Sequence, residues 1–387
     1  AGAVDLGEKP SVVSAIAKYH VTERARQVVN DGMDIIGGKG ICLGPSNFIG
    51  RAYQQIPIGI TVEGANILTR SLIIFGQGAI RCHPYLLPEM QAAQNKDVRQ
   101  GLVDFDKALW GHVGYTIRNG FRALWLGMTG SHFVGVEADV APEVRRYYQQ
   151  MTRFSAAFAF LSDISLLVLG GSVKRREKLS ARLGDILAQM YLISCTLKRY
   201  EADGRQAADA PLMHWAVWDA MYKTQEAFDG VIANFPNRFI GAFLHRSIFP
   251  WGHPYVVPSD DLGHQVAKLL IQPSAARDRL TAECYLPLTE SEPVGAIELA
   301  LAATLEAEAI EAKIRDAEKA GRFTNNPQAN VRDIAVVAVE CGVITAAEFE
   351  KMKRRNMLRD IVVHVDDFPF DFNVATANKP TPERKAA

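Results

Sequence analysis

The chain has 387 residues, enough for two or three domains, and its 48% apolar and 22% charged residues are ordinary for a soluble globular protein. Its 43 basic and 43 acidic residues cancel, so no net charge argues for nucleic acid or an anionic membrane as a bulk partner. Five cysteines (Cys42, Cys82, Cys195, Cys284, Cys341) lie far apart, without a CxxC pair or a Cys/His ligand spacing. That pattern gives no zinc motif and suits free thiols in a reducing compartment.

The N-terminus, AGAVDLGEKPSVVSAIAKYH, has no basic region ahead of an apolar core and is not a signal peptide. It has no starting Met and enters a helical pattern at once, so a fragment or a processed chain is expected. Pro10 suits a first helical turn. From it a stripe of Ala17, Val21, Ala25, Val28, Gly32 and Ile35 recurs at spacings of three and four, and Gly37-Gly38 ends the helix. A Gly- and Pro-rich loop follows, then a short helix and an extended piece, IPIGITV, leading to Glu63. A helix carrying Ile67, Leu68, Leu72 and Ile73 is expected to end near Gly76 or Gly78.

Longer helices are predicted at roughly 85–95, 101–127, 142–169, 174–203 and 207–233. Ser155 to Gly171 is the most apolar stretch, but Asp163 and Ser165 interrupt it and it is shorter than the roughly 20 residues of a membrane span, so it reads as a buried core helix. Pro236, Pro250, Pro254 and Pro258 mark an irregular stretch, and Ser259 caps the next helix. An alanine-rich helix at 293–320 is closed by Gly321, and two more follow at about 329–341 and 346–359. Thr345 and Glu348 form a capping-box pattern at the start of the last one. Residues 360–372 look extended, and 373–387 read as a disordered tail. The fold class is all-α, and the natural division falls near residue 96.

Several local patterns carry no chemistry. GGKGICLG (Gly37 to Gly44) lacks P-loop spacing and follows a helix, so it reads as a helix stop and tight turn. The nine histidines form no HExxH or other ligand pair on a helix, so each reads as a core or surface residue, and no metal site is expected. Ser131-His132 and Ser172 do not fit GxSxG. Trp110, Trp125, Trp215 and Trp218 sit on helices and read as core packing. Lys174, Arg175, Arg176 and Lys178 read as a solvated helix face, with phosphate or lipid headgroups as the functional alternative.

The segment from Ala17 to Gly78 is more specific. It reads AKYHVTERARQVVNDGMDIIGGKG and then GRAYQQIPIGITVEGANILTRSLIIFGQG. The order resembles the end of the acyl-CoA dehydrogenase catalytic fold: a helix starting near an Ala-Lys pair, a Gly-Gly-x-Gly turn (Gly37, Gly38, Gly40), an arginine-led segment (Arg51), and a Glu-Gly pair (Glu63-Gly64) with an arginine beyond it (Arg70). The remainder, including MTRFSAAFAFLSDISLLVLGGSVKRREKLSARLGD, is similar to the C-terminal extension of the long proteobacterial fatty-acid β-oxidation enzymes (FadE type). The resemblance implies that 1–95 is the end of the helical catalytic domain and 96–372 a larger helical extension.

The resemblance also implies function. The expected reaction is flavin-dependent α,β-dehydrogenation of fatty acyl-CoA to trans-2-enoyl-CoA by a complete enzyme, of which this chain is expected to be a fragment inactive on its own. Glu63 would be the catalytic base, and its backbone N–H would donate to the thioester carbonyl. Cofactor (FAD) contacts fall on Asp34, Gly37, Gly38 and Ala65, and substrate contacts on Gly64 and Arg70. The sequence departs from the family at Val62, where an aromatic residue is usual, at Ala65 in place of Thr, at Asp34 in place of a glutamine, and at Ile67 in place of a polar flavin contact. These departures weaken the dinucleotide contacts and leave the base untouched. Apolar flanks around Glu63 suit a buried carboxylate with a raised pKa, opposed by the nearby helix N-terminus. Expected partners are acyl-CoA, an electron-transferring flavoprotein and a second copy of the chain, with no nucleic acid. The expected location is cytoplasmic, peripheral at the inner membrane. An acyl-CoA oxidase and a non-catalytic helical scaffold are the competing readings.

Overall fold

The computed structural model describes residues 2–323 and 331–368. Among these, every regular element is helical, so the all-α class holds. In chain order the helices begin with α1 Gly2–Asp5, α2 Ser11–Ile36, α3 Gly50–Thr61, α4 Asn66–Leu68, α5 Ile74–Cys82, α6 Leu86–Ala93 and α7 Val98–Met128. They continue with α8 Pro142–Leu169, α9 Glu177–Ala202, α10 Ala210–Ala233, α11 Arg238–Ile248, α12 Asp260–Ile271 and α13 Ala275–Thr281. The last three are α14 Pro293–Lys319, α15 Val331–Glu340 and α16 Ala346–Val363. The chain groups into two compact units, one of Ala1–Thr22 with Ile60–Leu280 and one of Glu23–Gly59 with Thr281–Ala387.

The first unit is built on α8, α9 and α10. Their apolar stripes bury Phe154, Leu161, Leu183, Ile186, Ile193, Val217, Met221 and Phe228 in one core. α11 adds Leu244 and Ile248, and Arg153 donates to the Ile248 carbonyl at 3.0 Å. A smaller core joins Ile16 of α2, Ile74 of α5 and Ala188 of α9. By length and apolarity the continuous helical stretch Pro142–Arg175 could cross a membrane, but half of its most apolar window is buried in the protein. Its Asp163 is buried and accepts from the Thr116 hydroxyl at 2.8 Å, which suits a core helix.

The second unit packs α14 against α15 and α16. Small alanines on α14 let Ala307, Ile310 and Ile314 approach Ala335, Ala338 and Met352 closely. The Thr345–Glu348 capping box is present in full: the Glu348 N–H donates to the Thr345 hydroxyl and the Thr345 N–H donates to the Glu348 carboxylate.

The structure corrects several sequence expectations. IPIGITV is not extended: α3 runs through it with Pro57 inside the helix, at the cost of one backbone hydrogen bond. The helix after Glu63 passes Gly76 and Gly78 and ends at Cys82, with a π-turn at Thr69–Ile73. The α2 stripe is not a buried face. Val21, Val28 and Ile35 are exposed, and Ile16 on another face is buried. Trp110, Trp125 and Trp215 are exposed rather than core residues, whereas Trp218 packs edge-on against Tyr255. The proline-marked stretch contains α11, capped by the Asn237 side chain. Residues 360–363 finish α16, 364–368 have no regular structure, and 369–372 and the predicted tail lie outside the described residues.

Candidate functional site

Glu63 sits in the four-residue turn 62–65 between α3 and α4 and has a positive φ of 52°. That left-handed conformation is unfavourable for a residue with a Cβ, by about 1 kcal/mol or more, and such strain concentrates at functional sites. Gly64 follows at φ 88°, a region open to glycine without a Cβ clash. The turn is held from α2: the Lys18 ammonium donates to the Gly64 carbonyl at 2.9 Å and to Asn66 Oδ1 at 2.6 Å. Asn66 is buried and donates in turn to the Thr22 hydroxyl at 2.9 Å. The Thr69 hydroxyl donates to the Gly64 carbonyl at 3.2 Å. Lys18, Asn66 and Thr69 were not candidates from sequence. Lys18 was visible only as the lysine of the Ala-Lys pair near the helix start, and Asn66 and Thr69 gave no signal beyond their polarity.

Glu63 itself is exposed, and so is Val62, so the expected burial of this carboxylate does not occur within the chain. Ala65 is half-buried and caps α4 without a side-chain bond. The Arg70 guanidinium forms a bidentate pair with Asp185 of α9, Nε to Oδ1 at 2.8 Å and Nη2 to Oδ2 at 2.5 Å.

The remaining candidates lie in the second unit and are described on their own. Gly37 ends α2 with φ 63° and opens a 3₁₀ turn, Gly37–Gly40. Gly37 and Gly38 are exposed, and nothing lies within 4 Å of where a Cβ would stand at either. The open backbone suits close approach by a large ligand such as a dinucleotide. Asp34 is exposed one turn earlier on α2. Asn47, also unforeseen, ties the following loop. Its amide donates to the Gly40 carbonyl at 2.8 Å, and its Oδ1 accepts from the Gly50 N–H at 2.8 Å at the start of α3. Lys39 donates to the Val362 carbonyl at 2.6 Å; burial lowers its pKa and Asp366 opposes that. The Ser46 N–H donates to Asp366 at 3.0 Å.

One further cluster brings together histidines that were read as isolated. His83, His112 and Asp163 offer ligand atoms within 4.8 Å of one another. His83 Nε2 is 2.9 Å from Asp163 Oδ1, and His112 Nε2 is 3.5 Å from the same oxygen. His112 Nδ1 lies 2.8 Å from Glu89. The polarity at His83 opposes a metal. Its Nδ1 accepts the N–H groups of Tyr85 and Leu86 at 3.2 Å, so the ring proton sits on Nε2, the atom a metal would need. The cluster joins His83, α6, α7 and α8 through hydrogen bonds.

Against known families, residues 80–368 match the model described as acyl-CoA dehydrogenase, C-terminal, bacterial type. Residues 1–75 match the model described as acyl-CoA dehydrogenase, C-terminal domain. No solved structure matches the chain.

Proposed function

Because the chain belongs to the acyl-CoA dehydrogenase family, we propose that it serves the flavin-dependent α,β-dehydrogenation of fatty acyl-CoA thioesters to trans-2-enoyl-CoA in fatty-acid β-oxidation, with Glu63 as the base. The observation that supports this reading is the strained Glu63-Gly64 turn, fixed by Lys18 and Asn66 rather than relaxed. Asp34, Gly37, Gly38 and Ala65 would hold FAD, which when bound supplies the acceptor for the hydride leaving the β carbon.

The chain's own residues do the rest. The Glu63 carboxylate takes the proton from the α carbon. As charge moves onto the thioester oxygen, the backbone N–H of Glu63 donates to it. Both groups belong to one residue, so the backbone that Lys18 fixes sets the two together. The Glu63 carboxylate is exposed, so it is open to a substrate that meets the turn. Gly64 lets the thioester approach the backbone. Arg70 touches substrate only by sharing its guanidinium with Asp185.

The proposal includes a homodimer that passes electrons to an electron-transferring flavoprotein. It also includes a cytoplasmic location with peripheral contact at the inner membrane, where the exposed Lys174, Arg175 and Arg176 are available to headgroups. The test is anaerobic bleaching of enzyme-bound flavin by acyl-CoA. Glu63→Gln should slow bleaching by roughly 10²–10⁴-fold while acyl-CoA binding changes little. Bleaching at the wild-type rate would refute the assignment and favour the scaffold reading. Peroxide formation by the wild type in air would favour an oxidase.

A further inference from the structure

In the second unit the end of α16 and the irregular segment after it lie against the glycine loop that follows α2. Lys39 of the Gly37–Gly40 turn donates to the Val362 carbonyl in the last turn of α16 at 2.6 Å. Four residues on, Asp366 is buried, 9% exposed, and its Oδ1 accepts the Ser46 N–H at 3.0 Å. The approach is so close that a Cβ on residue 44 would overlap the Cβ and Cγ of Asp366, so only glycine fits at Gly44. The loop is thus tied from outside, at residues 39 and 46, by partners 323 and 320 residues further along the chain.

The same loop is tied from inside by one side chain. The Asn47 amide donates to the carbonyls of Lys39, Gly40 and Cys42 at 3.1, 2.8 and 2.9 Å. Its Oδ1 accepts the N–H groups of Ile49 and Gly50 at 3.0 and 2.8 Å. Asn47 adjoins Ser46, so a hold on Ser46 passes through Asn47 to the Gly37–Gly40 turn. The strap itself has firm footing. α16 buries Met352 and Leu358, and its Arg355 pairs with Glu311 of α14. Among the described residues Asp366 Oδ2 has no hydrogen-bond partner. A carboxylate buried with one oxygen unmet costs stability and calls for a role beyond packing.

We infer that Asp366 is a positioning residue: together with the Val362 carbonyl it clamps the loop 37–50 and so sets the turn that carries FAD. The cofactor half of this inference rests on the placing of FAD at Gly37 and Gly38 under the proposed function, and the clamp does not. The bacterial-type C-terminal region, residues 80–368, thereby gains a part in cofactor retention.

The test begins with amide hydrogen exchange in the full chain, without flavin. The N–H groups of Asn47, Ile49 and Gly50 bond within the loop and not to Asp366. Asp366→Ala should nevertheless speed their exchange roughly tenfold or more and leave the buried amides of α14 unchanged. Asp366→Asn keeps an acceptor for Ser46 and should restore wild-type exchange. Gly44→Ala should mimic Asp366→Ala by pushing the strap away. Lys39→Met removes the other tie and should act in the same direction, so it decides where Asp366→Ala does not fold. Unchanged exchange at those amides in Asp366→Ala and Lys39→Met would overturn the clamp. So would equal acceleration throughout α14, which would show general destabilisation. In the flavin-loaded enzyme, Asp366→Ala should release FAD roughly tenfold faster or more, and Asp366→Asn at the wild-type rate. Gly38→Trp, at an open position, tests the FAD reading separately: it should release FAD with exchange at the loop amides unchanged. FAD release that responds to Gly38→Trp and not to Asp366→Ala would overturn the cofactor half of the inference. Release unmoved by Gly38→Trp would overturn the FAD reading instead, with the clamp still judged by exchange.

Discussion

Lys18 and Gly64 are joined by a 2.9 Å hydrogen bond from the lysine ammonium to the glycine carbonyl, 46 residues along the chain. That bond, with the one to Asn66, holds the residue before Gly64 in a left-handed backbone. Lys18→Met keeps the stem and removes the donors. It should cost about 1–3 kcal/mol in urea unfolding, the range for hydrogen bonds to a charged group. In an active enzyme it should lower the rate of flavin bleaching more than substrate affinity, because it displaces the base and its N–H together.

Strain at Glu63 makes a prediction about stability alone. Glu63→Gly removes the Cβ penalty at φ 52° and should stabilise the protein by about 1 kcal/mol, seen as a raised melting temperature. Glu63→Ala retains the Cβ and should not gain. Equal melting of the two variants would show that the turn carries no such strain.

What could be read from sequence follows from how local each signal is. The Thr345–Glu348 box and the Gly37 stop are set within one helical turn, and both appear as expected. Pro57 was misjudged because a proline usually ends a helix, yet α3 carries it and forgoes one bond. Trp110 and Trp125 were taken as core because periodicity identifies a face without saying what covers it. Glu63 and Gly64 were visible as a pair, but Lys18 and Asn66 were not, because their partners lie 46 and 44 residues away. The His83–Asp163 pair is 80 residues apart and was hidden for the same reason.

Arg70 and Asp185 make a bidentate pair with side chains 40% and 21% exposed. Solvent screening limits its value to about 1 kcal/mol. A double-mutant cycle with Arg70→Gln and Asp185→Asn should give a coupling of that size, falling with added salt. A salt-independent coupling would instead point to packing.

Acid should loosen the second unit at a defined pH. The Lys313 ammonium, then the Thr345 N–H, hold the Glu348 carboxyl down at about 2 from an ordinary value of 4.5. With the folded pKa below the unfolded one, this contribution is whole above about pH 4.5. It is lost as pH falls through about 2. Thr345→Ala and Lys313→Ala should each flatten the dependence of stability on pH in that window, measured by circular dichroism. An unchanged slope in both variants would remove Glu348 from the acid response.

Asp163 decides whether the histidine cluster is a hydrogen-bonded core or a metal site. Its Oδ1 accepts from His83 at 2.9 Å and its Oδ2 from Thr116 at 2.8 Å, and it is buried. Asp163→Asn keeps an oxygen for His83 and presents an amide that can donate to the Thr116 hydroxyl, so it should cost about 1 kcal/mol or less. Asp163→Leu leaves the Thr116 hydroxyl its His112 carbonyl at 3.1 Å but removes the acceptor of the His83 N–H and the carboxylate beside His112. It should cost about 3 kcal/mol or more. A metal site predicts the reverse pattern: added zinc would raise the melting temperature of the wild type, and the amide, a poor zinc ligand, would abolish that gain. The polarity at His83 Nδ1, which faces two backbone N–H donors, leads us to expect no zinc-dependent shift in either protein. A wild-type gain lost in Asp163→Asn would show that the His83 ring turns over to bind metal.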